Sequence, residues 1–491
     1  MTQPTTVVPA LAPGVSREYL LHHRICPMSI GEDGMLVVAH APDHLEEGVN
    51  ELAGAYSRPA RLNAVSLPEL ERLIERVTTQ NERSIELARA DVGDEDDLTA
   101  DVRDLANQPP VIRYVNLLVR DAYDAAASDI HLEATRTGLA ARFRLDGVLV
   151  PAPEPPRLLH HAVISRLKLL AELDIAERRR PQDGRIRVRL EERELDLRVS
   201  TVPTVYGESV VLRLLDRGGR PVQLEELGMS PVVHAEIGRL TKRPHGMVLV
   251  TGPTGSGKTT TLYAALQGRD AATEKIITVE DPVEYQLSGI TQVPVHRQAG
   301  VTFATALRAI LRQDPDVVML GEMRDQETAE VAVQAAMTGH LVFSTLHTND
   351  ATGAIPRLLD LGVPDYLVAA TLEGVLAQRL VRRLCSNCRA PYEPTPEQVA
   401  TLTGRPVGRV TLHHGVGCQD CRGTGYRGRL GIFELLTMTD TMKDVITKQR
   451  GRSELRAAAL EAGMIPLRSD GWAKVQAGLT TVEEVFRVVQ D

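Results

Sequence analysis

The sequence predicts an α/β protein assembled from several domains, and three observations carry that prediction. Between residues 247 and 361, apolar strand-like runs alternate with helix-like segments, the pattern of a parallel or mixed sheet covered by helices. A glycine-rich loop, Gly252-Pro253-Thr254-Gly255-Ser256-Gly257-Lys258-Thr259, separates the first such run from the helix after it. Ahead of it, residues 138–214 hold short alternating strands with Asp-Gly turns, the mark of a separate α+β unit. At 491 residues the chain exceeds what one core fills, about 250–300 residues.

Taken in order, residues 1–80 read as a small mixed domain. Tyr19, Leu20 and Leu21 open a short helical segment, residues 35–39 form a strand candidate, and 67–77 carries apolar residues at helical spacing. No catalytic constellation occurs there, so the region is a docking module or a structural cap. Residues 81–106 hold Asp91, Asp94, Glu95, Asp96, Asp97, Asp101 and Asp104 with few apolar neighbours, the composition of a solvated linker.

Residues 107–216 form the α+β unit. A helix is expected over 111–127 behind Pro109-Pro110, and another over 156–173. Strands are expected at 138–144, 184–190, 194–200 and 208–214, with turns at Asp146-Gly147 and Asp183-Gly184. The unit is rich in arginine, at 178, 179, 180, 185, 187, 189, 193, 198 and 213, and alternation along strands gathers such residues on one face. That face is either simply solvated or set against phosphates or a neighbouring subunit.

Residues 222–384 are the α/β core. Strands at 247–250, 276–280, 317–320 and 341–345 alternate with helices at 258–267, 325–337 and 350–361, which places sites at the carboxyl ends of the strands. Residues 385–428 contain four cysteines, and 429–491 is helical by pattern, with the single tryptophan, Trp472, expected in the core.

The chemistry concentrates on the glycine loop. The pattern G-x4-G-K-[ST] between strand and helix turns backbone N–H groups inward to cradle phosphate oxygens. Lys258 reaches the β- and γ-phosphates, the Thr259 hydroxyl holds Mg²⁺, and Thr260 carries the site onto the helix. This pattern implies binding of a nucleoside triphosphate. Glu280 closes one expected strand and Glu322 follows another after Gly321. A carboxylate at a strand end beside this loop can hold Mg²⁺ or orient water, although each alone also suits a helix cap. His340 and His347 flank the next strand, and His347 at its end is placed to bond a γ-phosphate.

Composition removes other classes. A formal charge of −9 argues against nucleic acid as the main partner. No run of about 18 apolar residues occurs, and residues 1–14 lack a signal pattern, so a cytoplasmic chain is expected, meeting a membrane only through a partner. Cys26 stands alone as a small buried residue. Cys385-x2-Cys388 and Cys418-x2-Cys421 supply four thiolates, a complete tetrahedral Zn²⁺ set with no open position and hence structural. Their separation of 29 residues exceeds the roughly 15–20 of a compact ribbon, so the intervening chain forms its own subdomain. Gly423 and Gly425 permit tight turns there. A redox pair is the alternative.

Several motifs in order then point to a family. They are Ala127-Ser-Asp-Ile-His131-Leu-Glu133, Pro181-Gln-Asp-Gly-Arg185, the glycine loop, Thr278-Val-Glu280-Asp281-Pro-Val-Glu284-Tyr285, Gly321-Glu322-Met-Arg324-Asp325 and 339–349. Together they resemble the secretion ATPase superfamily of type II secretion and type IV pilus assembly, over most of 107–491. The resemblance implies a P-loop, RecA-like ATPase core that hydrolyses ATP with Mg²⁺. It also implies a homo-oligomer, usually a hexamer, with nucleotide between the arginine-rich domain and the core. Carried over by position, Glu280 belongs to the acidic box, Glu322 to a variant Walker B element, and His340 and His347 to a histidine box. Arg198 and Arg213 match arginines presented to nucleotide, and Arg308 and Arg312 are further candidates. Glu322 follows a glycine where an Asp would close the strand, which leaves open which glutamate activates water. An arginine donated across subunits is worth about 10³–10⁵ in rate.

The four cysteines and the short N-terminal region favour the type II secretion (GspE-type) branch. The expected function is a motor powering pseudopilus assembly and protein export. A pilus-extension or DNA-uptake motor, and a non-hydrolysing ATP-binding scaffold, are the alternatives. By resemblance, residues 1–80 dock on the cytoplasmic domain of an inner-membrane platform protein (GspL-like).

Overall fold

A computed structural model describes residues 17–30, 35–42, 46–56, 58–75, 77, 106–156, 159–190, 193–216, 222–395, 397, 399, 410–449 and 451–489. The acidic stretch at 81–106 therefore lies outside the described residues, Ala106 excepted. Among the described residues no helix is long and apolar enough to cross a membrane.

The N-terminal part builds a three-stranded sheet in the order β1 (Ile25–Ile30), β2 (Leu36–His40), β3 (Ala60–Ala64). The helix beginning near Tyr19 is Arg17–His23, and residues 67–75 are helical as their spacing predicts. The strand expected at 35–39 is β2. Two strands and the helix Glu46–Ala55 escape the sequence pattern. β1 carries Pro27, which a sheet tolerates because β1 is an edge strand. β3 is largely exposed and so shows no apolar alternation.

The second sheet is antiparallel throughout, in the order β6-β5-β4-β9-β8-β7. Its strands are β4 (Asp129–Ala134), β5 (Leu139–Leu145), β6 (Val148–Pro151), β7 (Gln182–Leu190), β8 (Arg193–Thr204) and β9 (Gly207–Asp216). Helices Pro109–Asp124 and His160–Leu170 cover its apolar face, where Ile130, Leu132, Ile186, Leu197, Val199 and Leu212 are buried. The two prolines fall in the first turn of the first helix, where a missing N–H costs nothing. Arg185, Arg187 and Arg189 alternate onto the exposed side of β7, as the period of two requires.

The third sheet has seven strands. β10 (Gly246–Thr251), β11 (Ile276–Glu280), β12 (Thr291–Pro294), β13 (Val317–Leu320), β14 (Leu341–Leu346) and β15 (Leu372–Leu384) run parallel. Two short strands, β16 (Arg389–Tyr392) and β17 (Leu412–Gly415), pair beside the cysteines. The chain then returns as β18 (Tyr426–Thr437), antiparallel to β15, giving the order β12-β11-β13-β14-β10-β15-β18. Every residue of β10, β11, β13 and β14 is buried, which is why they read as unbroken apolar runs.

One expectation is corrected here. Residues 429–437, taken as part of a helical tail, are the end of β18 and sit at the edge of the main sheet. The run Ile432-Phe433-Glu434-Leu435-Leu436 is buried along its length, and a short continuous apolar run carries no period that separates strand from helix. Beyond it the tail is helical, in four helices from Asp440 to Val488. Trp472 is half-buried against the main core. The architecture is thus mixed α/β with several sheets and a separate four-cysteine cluster.

Candidate functional site

Parallel strands deliver the ends of β10, β11, β13 and β14 to one rim of the sheet, and the glycine loop leaves β10 there. The loop needs its glycines because it lies directly on β15. A Cβ on Gly252, at φ +152°, would come 2.5 Å from the Gln378 carbonyl oxygen, and one on Gly257, at φ +86°, would come 2.8 Å from Gln378 Nε2. Thr261, in the first turn of the helix Lys258–Gln267, donates to Gln378 Oε1 at 2.6 Å and fixes the same interface.

Lys258 is buried and its Nζ donates to the carbonyls of Gly252, at 2.7 Å, and Pro253, at 3.0 Å. Burial, and then the charge of Arg379, bring its pKa down to about 8, with Glu322 pulling the other way. The Ser256 hydroxyl is buried with no protein partner among the described residues. A curled loop, a buried cation and an orphaned hydroxyl fit a polyphosphate.

Two carboxylates face the loop, held very differently. Glu280 is 3% exposed and accepts from Tyr263 Oη, from Thr278 Oγ1 at 2.5 Å and from Gln292 Nε2 at 3.1 Å. Both of its oxygens are engaged, so it cannot rotate. Glu322 pairs with Arg324 at 2.5 Å and lies 3.6 Å from His347 Nε2. Thr345 clamps the Glu322 turn by donating to the Gly321 carbonyl at 2.6 Å and accepting, through its own carbonyl, from Met323 N at 3.1 Å. Burial and the Lys258 charge hold the His347 pKa below its ordinary value, so the ring is neutral near pH 7. The loop that carries His347 is tied to β10 by the Thr251–Thr348 hydroxyl contact at 2.8 Å.

These residues line one cavity of about 1070 Å³ between the six-stranded and seven-stranded sheets. It contains Pro253, Thr254, Gly255, Ser256, Gly257, Lys258, Thr259, Thr260, Glu280, Glu322, His347 and Arg213. It also contains Arg379, together with Arg144, Arg429 and Arg487, which the sequence reading did not single out. Arg198 is not on the wall; it pairs with Glu284 at 3.8 Å. His340 lies at the opposite end of β14, roughly 20 Å from His347 at about 3.3 Å per residue. Its Nδ1 is 2.9 Å from the Ala335 carbonyl at the end of the preceding helix. Arg308 pairs with Glu327 at 2.5 Å and Arg312 donates to the Arg308 carbonyl, both outside the cavity. A strand end can be read from sequence. Which distant arginines fold back over it depends on how two sheets meet.

The cysteines form a second, separate site. All four sulfurs lie within 4.8 Å of one another, at 3.8 Å for Cys385–Cys418 and 3.7 Å for Cys388–Cys421 and Cys418–Cys421. Tetrahedral Zn–S bonds near 2.3 Å imply sulfur–sulfur edges of about 3.8 Å, whereas a disulfide needs about 2.05 Å. Burial opposes charge on Cys421, yet N–H groups of Cys418 and Gly425, at 3.1 and 3.2 Å, bring its pKa to about 6. Gly423 and Gly425 adopt φ of +78° and +77°, as the tight turns require.

Comparison with known proteins follows the same lines. A family model described as Type II/IV secretion system protein matches residues 104–487. Type II secretion system protein E of Xanthomonas campestris pv. campestris is 46% identical over 97% of this chain and 85% of its own length. The type IV pilus assembly ATPase PilB of Myxococcus xanthus is 42% identical over 98% of this chain and 86% of its own. A crystal structure of the pilus retraction motor PilT with bound ADP aligns at a TM-score of 0.50 and 27% identity, covering 76% of this chain and 96% of that one.

Proposed function

The chain belongs to the type II/IV secretion system protein family, and from that premise we propose that it is an ATP-hydrolysing motor powering pseudopilus assembly and protein export by type II secretion. The observation that carries the reading is the single cavity joining Lys258, Glu280, Glu322 and Arg213 around the glycine loop. Relatives named for type II secretion at up to 51% identity favour this branch over the pilus-extension alternative, and four relatives with that identity or near it agree.

ATP is bound with its phosphates in the loop 252–259. Lys258 leaves the carbonyls of Gly252 and Pro253 to meet them. Mg²⁺ would be held by Thr259 and Glu322, and when bound it neutralises phosphate charge. Glu322 is assigned there because its contacts with Arg324 and His347 fall on Oε2, whereas both oxygens of Glu280 are held by protein donors. Glu280, fixed by three donors, orients the attacking water. His347 remains neutral and bonds the γ-phosphate, while Arg213 offsets charge as it develops. Arg198 contributes only where its pairing with Glu284 opens.

The division into an N-terminal docking domain (1–80), an acidic linker, the arginine-rich domain (107–216), a RecA-like core (222–384), a zinc subdomain (385–428) and a C-terminal region belongs to the same reading. So do zinc as the metal of the four thiolates, a hexameric ring, and a cytoplasmic location beside an inner-membrane platform protein.

The test is steady-state ATP hydrolysis together with binding of a fluorescent ATP analogue. Glu280→Gln should lower kcat by roughly 10²-fold or more while nucleotide still binds. Lys258→Ala should lose binding. A wild-type chain that binds the analogue but turns over no ATP would leave the scaffold alternative standing, and hydrolysis that survives both changes would refute this cavity as the catalytic site.

A further inference from the structure

Asp129 has no part in the reading above, yet it lies on the cavity wall and is only 5% exposed. The strand register explains its neighbours. β4 sits between β5 and β9, and Asp129 is directly opposite Arg144 on one side and Arg213 on the other. Opposite residues share a face with Cβ atoms about 4.5–5.5 Å apart, so the carboxylate stands between two guanidinium groups. Its Oδ1 accepts from Arg213 Nε at 3.0 Å. Its Oδ2 accepts from Ser128 Oγ at 2.8 Å and lies 3.6 Å from Arg144 Nε.

The bonding edge matters. Asp129 takes Arg213 at Nε, which leaves the Nη pair, an edge that can grip a phosphate in a bidentate contact, outside that bond. Among the described residues those Nη groups have no protein partner, and the side chain is 59% exposed. Arg144 is more tightly fixed: Nη1 donates to the Gly147 carbonyl at 3.1 Å and Nη2 to His131 Nε2 at 3.4 Å. Burial, then the charge of Arg144, keep His131 below its ordinary pKa and so able to accept. Each Nη of Arg144 retains one further N–H. Arg198, opposite Arg213 on β8, shows the contrast, since it is paired to Glu284 and off the wall.

We propose that Asp129 is a positioning residue that aims Arg213 and Arg144 at the phosphates, and that Arg144 is a second phosphate-binding cation of the six-stranded sheet. This rests on the nucleotide reading of the cavity. The trio carries a net charge of +1, and Asp129→Asn raises it to +2. Electrostatics alone then favours tighter nucleotide binding and an unchanged or faster reaction. Positioning requires the opposite for kcat.

The experiment uses the full chain, comparing Asp129→Asn, Arg213→Ala, Arg144→Ala and the Asp129→Asn/Arg213→Ala double variant for ATP turnover and analogue binding. Asp129→Asn should lower kcat about tenfold with KM changed less than about threefold. In the Arg213→Ala background the same change should cost less than about threefold, because its main target is gone. Arg144→Ala should lower kcat/KM about fivefold or more. Wild-type kcat in Asp129→Asn, or effects that multiply in the double variant, would overturn the positioning role. Wild-type kcat/KM in Arg144→Ala would overturn the second cation. Should Asp129→Asn not fold, Ser128→Ala loosens Oδ2 without changing charge, and it too must lower kcat rather than KM. A wild-type protein that binds no ATP analogue would instead sink the nucleotide reading itself.

Discussion

Raising the pH from 7 to 9 should weaken ATP binding about tenfold through Lys258 alone. Its ammonium is buried and close to Arg379, and its pKa of about 8 replaces an ordinary 10.5. At pH 7 roughly nine-tenths of the side chains carry charge, at pH 8 half, and at pH 9 about one-tenth. Phosphate oxygens beside Nζ favour the ammonium and return its pKa toward the ordinary range, so binding takes up a proton. The uptake is about 0.1 proton at pH 7, 0.5 at pH 8 and 0.9 at pH 9, and integrating it over that interval gives the tenfold loss. His347 titrates below the ordinary histidine range, held down by burial and the Lys258 charge, on the acid side of the Lys258 transition. Calorimetry with a non-hydrolysable analogue at pH 8, in two buffers of different ionisation heat, reads the uptake directly after subtracting the ligand's own protonation. Zero uptake at pH 8 with a constant Kd from pH 7 to 9 would refute the account of Lys258. Lys258→Arg, where binding persists, should flatten the profile.

Three further outcomes follow from particular contacts. Gly252→Ala puts a methyl group 2.5 Å from the Gln378 carbonyl, so the loop should shift and analogue affinity fall about tenfold or more, while the circular dichroism spectrum stays that of the wild type. Cys388→Ser, or chelation, should release about one zinc per chain by atomic absorption and lower the melting temperature before nucleotide affinity changes, since the cluster does not line the cavity. Glu484 is pushed up by burial but held near a pKa of about 2 by Arg487 and Arg382, against an ordinary 4.5. That difference is worth about 3 kcal/mol, present above pH 4.5 and lost as the pH falls toward 2. Denaturant titrations of Glu484→Gln should therefore show a stability gap at pH 7 that narrows at pH 3.

What the sequence made legible is what short-range chemistry decides. The strands β11 and β13 were read to the residue, because a strand buried on both faces must be a short unbroken apolar run. The glycine loop was equally plain, since its function and its close approach to Gln378 make the same demand for glycine at 252 and 257. Strands without that pressure were missed: β3 is mostly exposed, and β4 alternates Asp129, His131 and Glu133 with apolar residues in a stretch valued only as a motif. The helical assignment of 429–437 failed for a related reason, as β18 owes its conformation to pairing with β15, from which it is separated by the cysteine subdomain.

The functional residues divide in the same way. Lys258, Glu280, Glu322 and His347 each lie at or beyond the carboxyl end of a parallel strand of one sheet, so strand order alone collects them, and all four line the cavity. The arginines come from other elements, and neither their number nor their spacing says which reach it. Arg213 and Arg198 are direct cross-strand partners, alike in sequence terms, yet one lines the cavity and the other is held by Glu284. The difference lies in their carboxylate partners. Asp129 binds Arg213 at Nε and leaves its phosphate-gripping edge free, whereas Glu284 engages Arg198 through Nη2 itself. An arginine's availability to a phosphate is therefore set by which of its nitrogens the protein has already used, and that is decided by register and rotamer after the sheets have met.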